Sequence, residues 1–365
     1  MKKTKKFLLT ALICLTAIFG AIGFSSCEFL NKTILWKNNG VLYYSFNVYT
    51  KSYSVVGVRD ESILEIIIPS SFKGNPVTSI GYHAFSECKN LKSIVIPGSI
   101  QSIFGYSFEG CKNFETVVIG NGVVSIENKA FENCDSLTSV IIPNSVQSIG
   151  NMAFGNCDSL TSVVIPDSVQ SIGNMAFWDC NSLTSVEIGD SVQSIGRYAF
   201  ADCDNLISVK IGEKVQSIGD SAFLGCTNLT NIYITDIAAW CNIDFYDITS
   251  NPLCYAENLY LNGELVTELV IPDDITQIKP YAFSGGASLT SVEIPDSVEF
   301  IGRYAFAACD KLTSISFKDT STWYRTDSKT NWENKTGGTQ TDVTKSDDNA
   351  EYFKDTYYDY YWYKL

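Results

Sequence analysis

Seven cysteines stand 23 residues apart, at Cys88, Cys111, Cys134, Cys157, Cys180, Cys203 and Cys226, and Cys309 holds the same place in a later copy of the surrounding segment. Thiols so spaced could cross-link, hold a metal, or do neither. If each 23-residue unit is one coil of a stack, adjacent coils set the Cα atoms about 5 Å apart, inside the disulfide range. The unbroken run is odd in number, however, and Cys309 faces Gly286 in the preceding unit. In-register neighbours also point the same way, which suits disulfide geometry poorly. Zinc needs four converging ligands, and a straight row supplies none. The row is therefore expected to be a ladder of small buried side chains. Cys241 and Cys254 fall outside this register, and a bridge between them stays open.

Other chemistry is sparse. His83 is the only histidine, so no Ser–His–Asp arrangement can be assembled without it. It sits beside a repeated Ala-Phe pair, where other units carry Met152, Met175 or Tyr198, a surface slot expected to tolerate any side chain. No phosphate-cradling glycine loop is present. Asn133 and Asp135, Asn156 and Asp158, Asp179 and Asn181, and Asp202 and Asp204 flank the cysteines. Oxygen ligands in register suit calcium, although Asx turns at the corners of coils are the commoner use of such residues. Neither an enzyme nor a cofactor is expected.

The elements that position these residues come from one repeat. Residues 146–168 read VQSIGNMAFGNCDSLTSVVIPDS and residues 169–191 read VQSIGNMAFWDCNSLTSVEIGDS. The anchor isoleucine recurs at Ile80, Ile103, Ile126, Ile149, Ile172, Ile195 and Ile218, then at Ile278 and Ile301. A period of this size implies a leucine-rich-repeat solenoid, mainly β with short helical turns, in which no coil buries its apolar side without a neighbour. In one coil Leu160, Val163 and Ile165 should face inward and Ser162 and Val164 outward, by the two-residue alternation of strands. Pro166 ends the strand, Gly173 permits the next bend, and Ala176-Phe177 should pack into the coil on a short helical turn. Phe85, Phe108, Phe131, Phe154, Phe177, Phe200, Phe223, Phe283 and Phe306 share that slot and form a core spine. Parallel, in-register strands from eleven coils would make a ladder on the order of 50 Å long.

Six segments follow. Residues 1–26 have a Lys2, Lys3, Lys5, Lys6 n-region and an apolar run from Phe7 to Gly23, the pattern of a signal peptide. Residues 27–62 are an anchor and a β-rich N-terminal cap, and 63–235 are repeats. Residues 236–265 are an irregular insert, because Ile218 and Ile278 are 60 residues apart where regular phase allows 46 or 69. Residues 266–317 resume the repeat. Residues 318–365 comprise a polar stretch that reads as a mobile loop, then the aromatic run Tyr357 to Tyr363 as a C-terminal cap or a sugar-stacking platform.

Phe24-Ser25-Ser26-Cys27 resembles a bacterial lipobox, which implies cleavage before Cys27 and acylation of its thiol. The formal charge is -14; removing the four leader lysines leaves -18, which argues against nucleic acid and leaves attachment to a membrane to the acyl chains. The unit I-G-x-x-A-F-x-x-C-x-x-L-x-x-V-x-I-P-x-S-V over residues 63–317 resembles the BspA-like leucine-rich repeats of bacterial surface proteins. It departs from the commonest leucine-rich pattern in carrying Ser99, Ser145, Ser168, Ser191 and Ser297 after the strand, where that pattern stacks Asn. The resemblance implies surface exposure and adhesion to host matrix or other cells, without naming a ligand. The residues themselves offer one contact surface. An outward column reads Val95, Val118, Ile141, Val164, Glu187, Lys210 and Tyr233, and its four apolar members form a strip of the kind that marks protein contacts. A protein ligand on the concave face is the expected partner; a self-associating envelope protein and a glycan-binding module are the alternatives.

Overall fold

A computed structural model describes residues 41–365. The proposed leader and Cys27 lie outside the described residues. The chain winds into a β-solenoid of about 12 coils. Most coils contribute a longer strand to one face and a two-residue strand to another, and successive coils pair in parallel; the hairpin Asn258–Leu261/Glu264–Leu265 is antiparallel. Ser162–Ile165 lies beside Ser185–Ile188 with Val163 opposite Val186 and Val164 opposite Glu187. The alternation places Val163 and Ile165 in the core and leaves Ser162 and Val164 exposed.

The principal ladder is divided. A four-stranded sheet runs from Glu65–Ile67 to Ser139–Val140, a six-stranded one from Ser162–Ile165 to Glu264–Leu265, and a three-stranded one from Glu268–Val270 to Ser314–Phe317. At the first break the strand lasts only two residues, yet the stack is held: the Thr161 N–H and hydroxyl both donate to the Thr138 carbonyl at 3.3 Å. The short strands form an eleven-stranded sheet from the Leu42–Asn47/Ser52–Val58 hairpin to Asp244–Phe245.

The segment that carries Ala-Phe is a run of tight turns, not the helical turn expected from sequence. Its N–H groups reach the next coil: Met152 donates to the Asn174 carbonyl at 2.9 Å, Phe154 to Ala176 at 2.8 Å and Asn156 to Trp178 at 2.8 Å. The backbone explains why no helix forms. The slot before Ala is left-handed in every coil, with φ of 52° at His83, 54° at Met152 and 54° at Tyr198. The residue before each cysteine is left-handed too, at Asn156 (φ 55°) and Asp202 (φ 57°), or is a glycine such as Gly225 (φ 81°). Left-handed residues interrupt a right-handed helix, and Asn and Asp tolerate that region better than most side chains. The slot of His83 is therefore conformationally demanding, contrary to the expectation that it tolerates anything. Gly173 stands where the strand ends and the turn begins, and it meets a second demand: a Cβ on it would lie 2.5 Å from the Gly150 carbonyl carbon, so only glycine lets the two coils approach.

The phenylalanines from Phe85 to Phe223 form one column, and Phe283 and Phe306 form a second stacked pair beyond the insert. Phe154 and Phe177 stack with centroids 5.2 Å apart and planes 6° from parallel, and Phe177 and Phe200 at 5.3 Å. All ten described cysteines are thiols, Cys241 and Cys254 among them. From Cys111 onward each S–H of the row donates backwards, Cys134 to the Phe108 carbonyl at 3.2 Å and Cys180 to Phe154 at 3.2 Å. Ser145 and Ser168 donate to the carbonyls of Val123 and Val146, each at 2.7 Å, and so join the corners of adjacent coils.

The insert continues the stack by different means. Asp236 caps the helix Ile237–Cys241, accepting from the Ala238 and Ala239 N–H groups. Trp240 Nε1 then donates to the Ala282 carbonyl at 2.6 Å, and Asn251 Nδ2 to Tyr281 at 2.6 Å and Ala282 at 3.2 Å. Two buried side chains thus supply the donors that a regular coil's backbone would have offered. At the C-terminus the polar stretch is ordered, with strands Trp323–Thr326 and Thr339–Thr341 and helices Lys329–Glu333 and Ser346–Glu351, where a mobile loop was expected. Tyr361–Lys364 pairs antiparallel with Phe300–Ile301 and Trp323–Thr326. That reversal covers the open edge of the short-strand sheet.

Candidate protein-contact face

The outward column lies on the principal ladder. Val95 is opposite Val118; Val164, Glu187, Lys210 and Tyr233 follow one another in register across successive strands. Ile141 stands just past the two-residue strand Ser139–Val140, at the break between sheets. Exposure along the strip is uneven. Ile141 and Val164 are 49% and 40% exposed, and Glu187 is exposed, whereas Val95, Val118, Lys210 and Tyr233 are half-buried by their neighbours. The accessible apolar patch is therefore centred on Ile141 and Val164 and narrower than a four-residue strip.

Three further features adjoin it that sequence reasoning missed. Ile67 pairs with Val95 and extends the column by a coil. Tyr260 stacks on Tyr233 with centroids 4.8 Å apart; the shifted phase of the insert hid it. A column of threonines borders the strip, and their hydroxyls are already engaged: Thr184 Oγ1 donates to the Thr161 carbonyl at 3.0 Å and Thr290 Oγ1 to Thr267 at 3.0 Å. These hydroxyls were readable as a column, but their inward bonds were not. Ile207, 46% exposed, takes the threonine position in one coil and adds to the apolar surface. Beyond Glu187, a groove of about 420 Å³ runs past Lys210 and Tyr233 to Asn262 and Gly263.

The reactive groups lie elsewhere and are subdued. Burial pushes the Cys88 thiol up to about 11 and Cys309 to about 12, and drives Cys134 and Cys180 well above the ordinary value. A thiol so raised is not a nucleophile at neutral pH. His83 Nδ1 lies 3.9 Å from Glu109 Oε2, and its ring stacks on Tyr106 at 4.8 Å. Asn133, Asn156, Asp179 and Asp202, weighed above as calcium ligands, occupy the left-handed corner positions. Among the described residues no group of three or more His, Cys, Asp or Glu is arranged to hold a metal ion. No helix among them is long and apolar enough to cross a membrane. Of the aromatic tail, Tyr361, Trp362 and Tyr363 are buried beneath the cap and present no open platform.

A parallel strand ladder on a stack of repeated coils, with its thiols buried, defines a leucine-rich-repeat binding scaffold. The family model for the BspA type leucine rich repeat region matches in six copies over residues 58–180, 124–250 and 256–334, and the chain belongs to that family. No curated protein matches it. Among solved structures it is similar to a leucine-rich repeat protein from Bacteroides ovatus, at 29% identity over 76% of this chain and 70% of that one, with a TM-score of 0.52. It is also similar to the leucine rich repeat protein of T. pallidum, at 29% identity over 52% of this chain and 89% of that one, with a TM-score of 0.49. A leucine rich cell surface protein from Faecalibacterium prausnitzii aligns at 20% identity over 81% of this chain and 96% of that one, with a TM-score of 0.29.

Proposed function

We propose that the protein is a surface-displayed, lipid-anchored adhesin whose principal-ladder face binds a protein of host matrix or of a neighbouring cell. The observation that carries this reading is the pair Ile141 and Val164, 49% and 40% exposed on the outward face of the principal ladder. Apolar side chains held open on an ordered face favour association with another surface. Glu187, Lys210 and Tyr233 continue the face with charge and an aromatic ring, the mixture that gives an interface its orientation. Val95 and Val118 form its flank. Cys27 would carry the acyl chains, and residues 27–62 would lead from the membrane into the first coil.

Binding of the purified chain to immobilised extracellular matrix, with sedimentation of the same sample, tests the role. Saturable binding by a monomer supports the adhesin. Reversible self-association without matrix binding would assign the array to the envelope's own architecture instead. Palmitate labelling that disappears in Cys27→Ala, together with proteolysis of the array on whole cells, tests the anchor and the display.

A further inference from the structure

The interrupted phase of the array leaves an opening on the short-strand face. Asp244–Phe245 ends the eleven-stranded sheet and Gln277–Ile278 begins a separate five-stranded one. The two coils touch where the Lys279 N–H donates to the Cys241 carbonyl at 3.0 Å. Beside that bond lies a notch of about 560 Å³, within the size range of small-molecule sites. Its lining is mixed: charged and polar side chains alternate with aromatic ones, among them Tyr246, 72% exposed, Tyr281 and Trp332.

The charges in the notch do not cancel. Lys279 pairs with Asp244, and Lys329 with Glu333 at 3.7 Å. Arg303 has no carboxylate of the described residues within 4.0 Å. Its guanidinium meets the Tyr281 hydroxyl and lies near two rings, 5.5 Å from the Tyr304 centroid and 5.6 Å from that of Tyr361. A guanidinium that lacks a carboxylate counter-ion keeps its remaining donors for a ligand carboxylate. In a chain of net charge -14 this local cation is a selective feature rather than part of a basic surface.

We infer that this notch is a binding site for a carboxylated sugar, a uronic or sialic acid residue, with the carboxylate on Arg303 and the ring against Tyr246. The apolar face of a pyranose packs on an exposed aromatic ring, and its hydroxyls meet Gln277 and Glu333 at the rim. A second groove of about 490 Å³ continues from Tyr246 towards Arg197, which is paired with Asp220, and gives room for further sugar units. This site is separate from the proposed protein-contact face, so either proposal can fail alone.

Saturation-transfer NMR on the full chain with glucuronate, N-acetylneuraminate, glucose and glutarate tests it. At least one acidic sugar should bind saturably, and glucose and glutarate at least about tenfold more weakly. Tyr246→Ala, a change at an exposed ring, and Arg303→Gln should each weaken that sugar about tenfold, while Ile141→Asp leaves it unaltered. Equal binding of glucose would overturn the role of Arg303, and equal binding of glutarate would make the notch a general carboxylate site. No saturable binding of either acidic sugar, or full binding by Tyr246→Ala, would overturn the inference.

Discussion

Tyr260 lies in register with Tyr233, the two rings stacked 4.8 Å apart and 20° from parallel, although 27 residues rather than 23 separate their strands. The stack therefore tolerates a longer coil provided that strand register is restored at the ladder. What the extra residues cost is paid at the opposite corner, where Asn251 and Trp240 reach the carbonyls of the next coil.

Asn251 is fully buried and satisfies two carbonyls. Replacement by Leu fills the space and removes both donors. Leaving buried acceptors unpaired costs about 1–3 kcal/mol. Urea denaturation should show a loss of that size, and proteolysis should then cut first within residues 236–265.

Phe177 touches its counterparts in both neighbouring coils. Phe177→Ala should cost about 3–5 kcal/mol, the range for deleting a buried ring. Because coils stabilise only their neighbours, hydrogen exchange should rise around residues 150–205 and stay low near the C-terminal cap.

The left-handed slot makes a prediction with two signs. His83 is exposed and sits at φ 52°. His83→Val should destabilise the array by about 1 kcal/mol, because a β-branched side chain fits that region worse than imidazole does. His83→Gly should be neutral or stabilising in the same denaturation series. Equal effects would mean that the backbone at this slot is not the constraint.

The thiols give a pH dependence. Their folded values are raised by burial above the ordinary 9.0, to about 11 at Cys88 and about 12 at Cys254 and Cys309. Unfolded thiols ionise first, so above pH 9 the unfolded chain binds fewer protons and stability falls as pH rises. The stabilisation is complete below pH 9 and lost progressively towards pH 12. Unfolding midpoints should drop across that window, and Cys309→Ala should shallow the drop.

The repeat made the strands, the phenylalanine column and the row of thiols legible, since each recurs at one slot and a stack converts equal spacing into contact. The outward column from Val95 to Tyr233 was legible for the same reason. Its exposure was not, because the half-burial of Val118 against the exposure of Ile141 and Val164 depends on how neighbouring side chains lean and on where the ladder breaks. The left-handed backbone at Met152 and Tyr198 left no mark in side-chain type, although Asn156 and Asp202 in the second slot carried a hint of it. The notch was hidden altogether. It joins Tyr246, Arg303 and Trp332, which no period relates.

The most direct test of the contact face is the double substitution Ile141→Asp with Val164→Asp, assayed for binding to immobilised extracellular matrix. The changes sit on the outward face and leave the core column untouched, so circular dichroism and thermal unfolding should match the parent chain. The account predicts that matrix binding falls at least about tenfold, since burying a carboxylate against an apolar partner surface is strongly unfavourable. Undiminished binding by a folded double variant would contradict it.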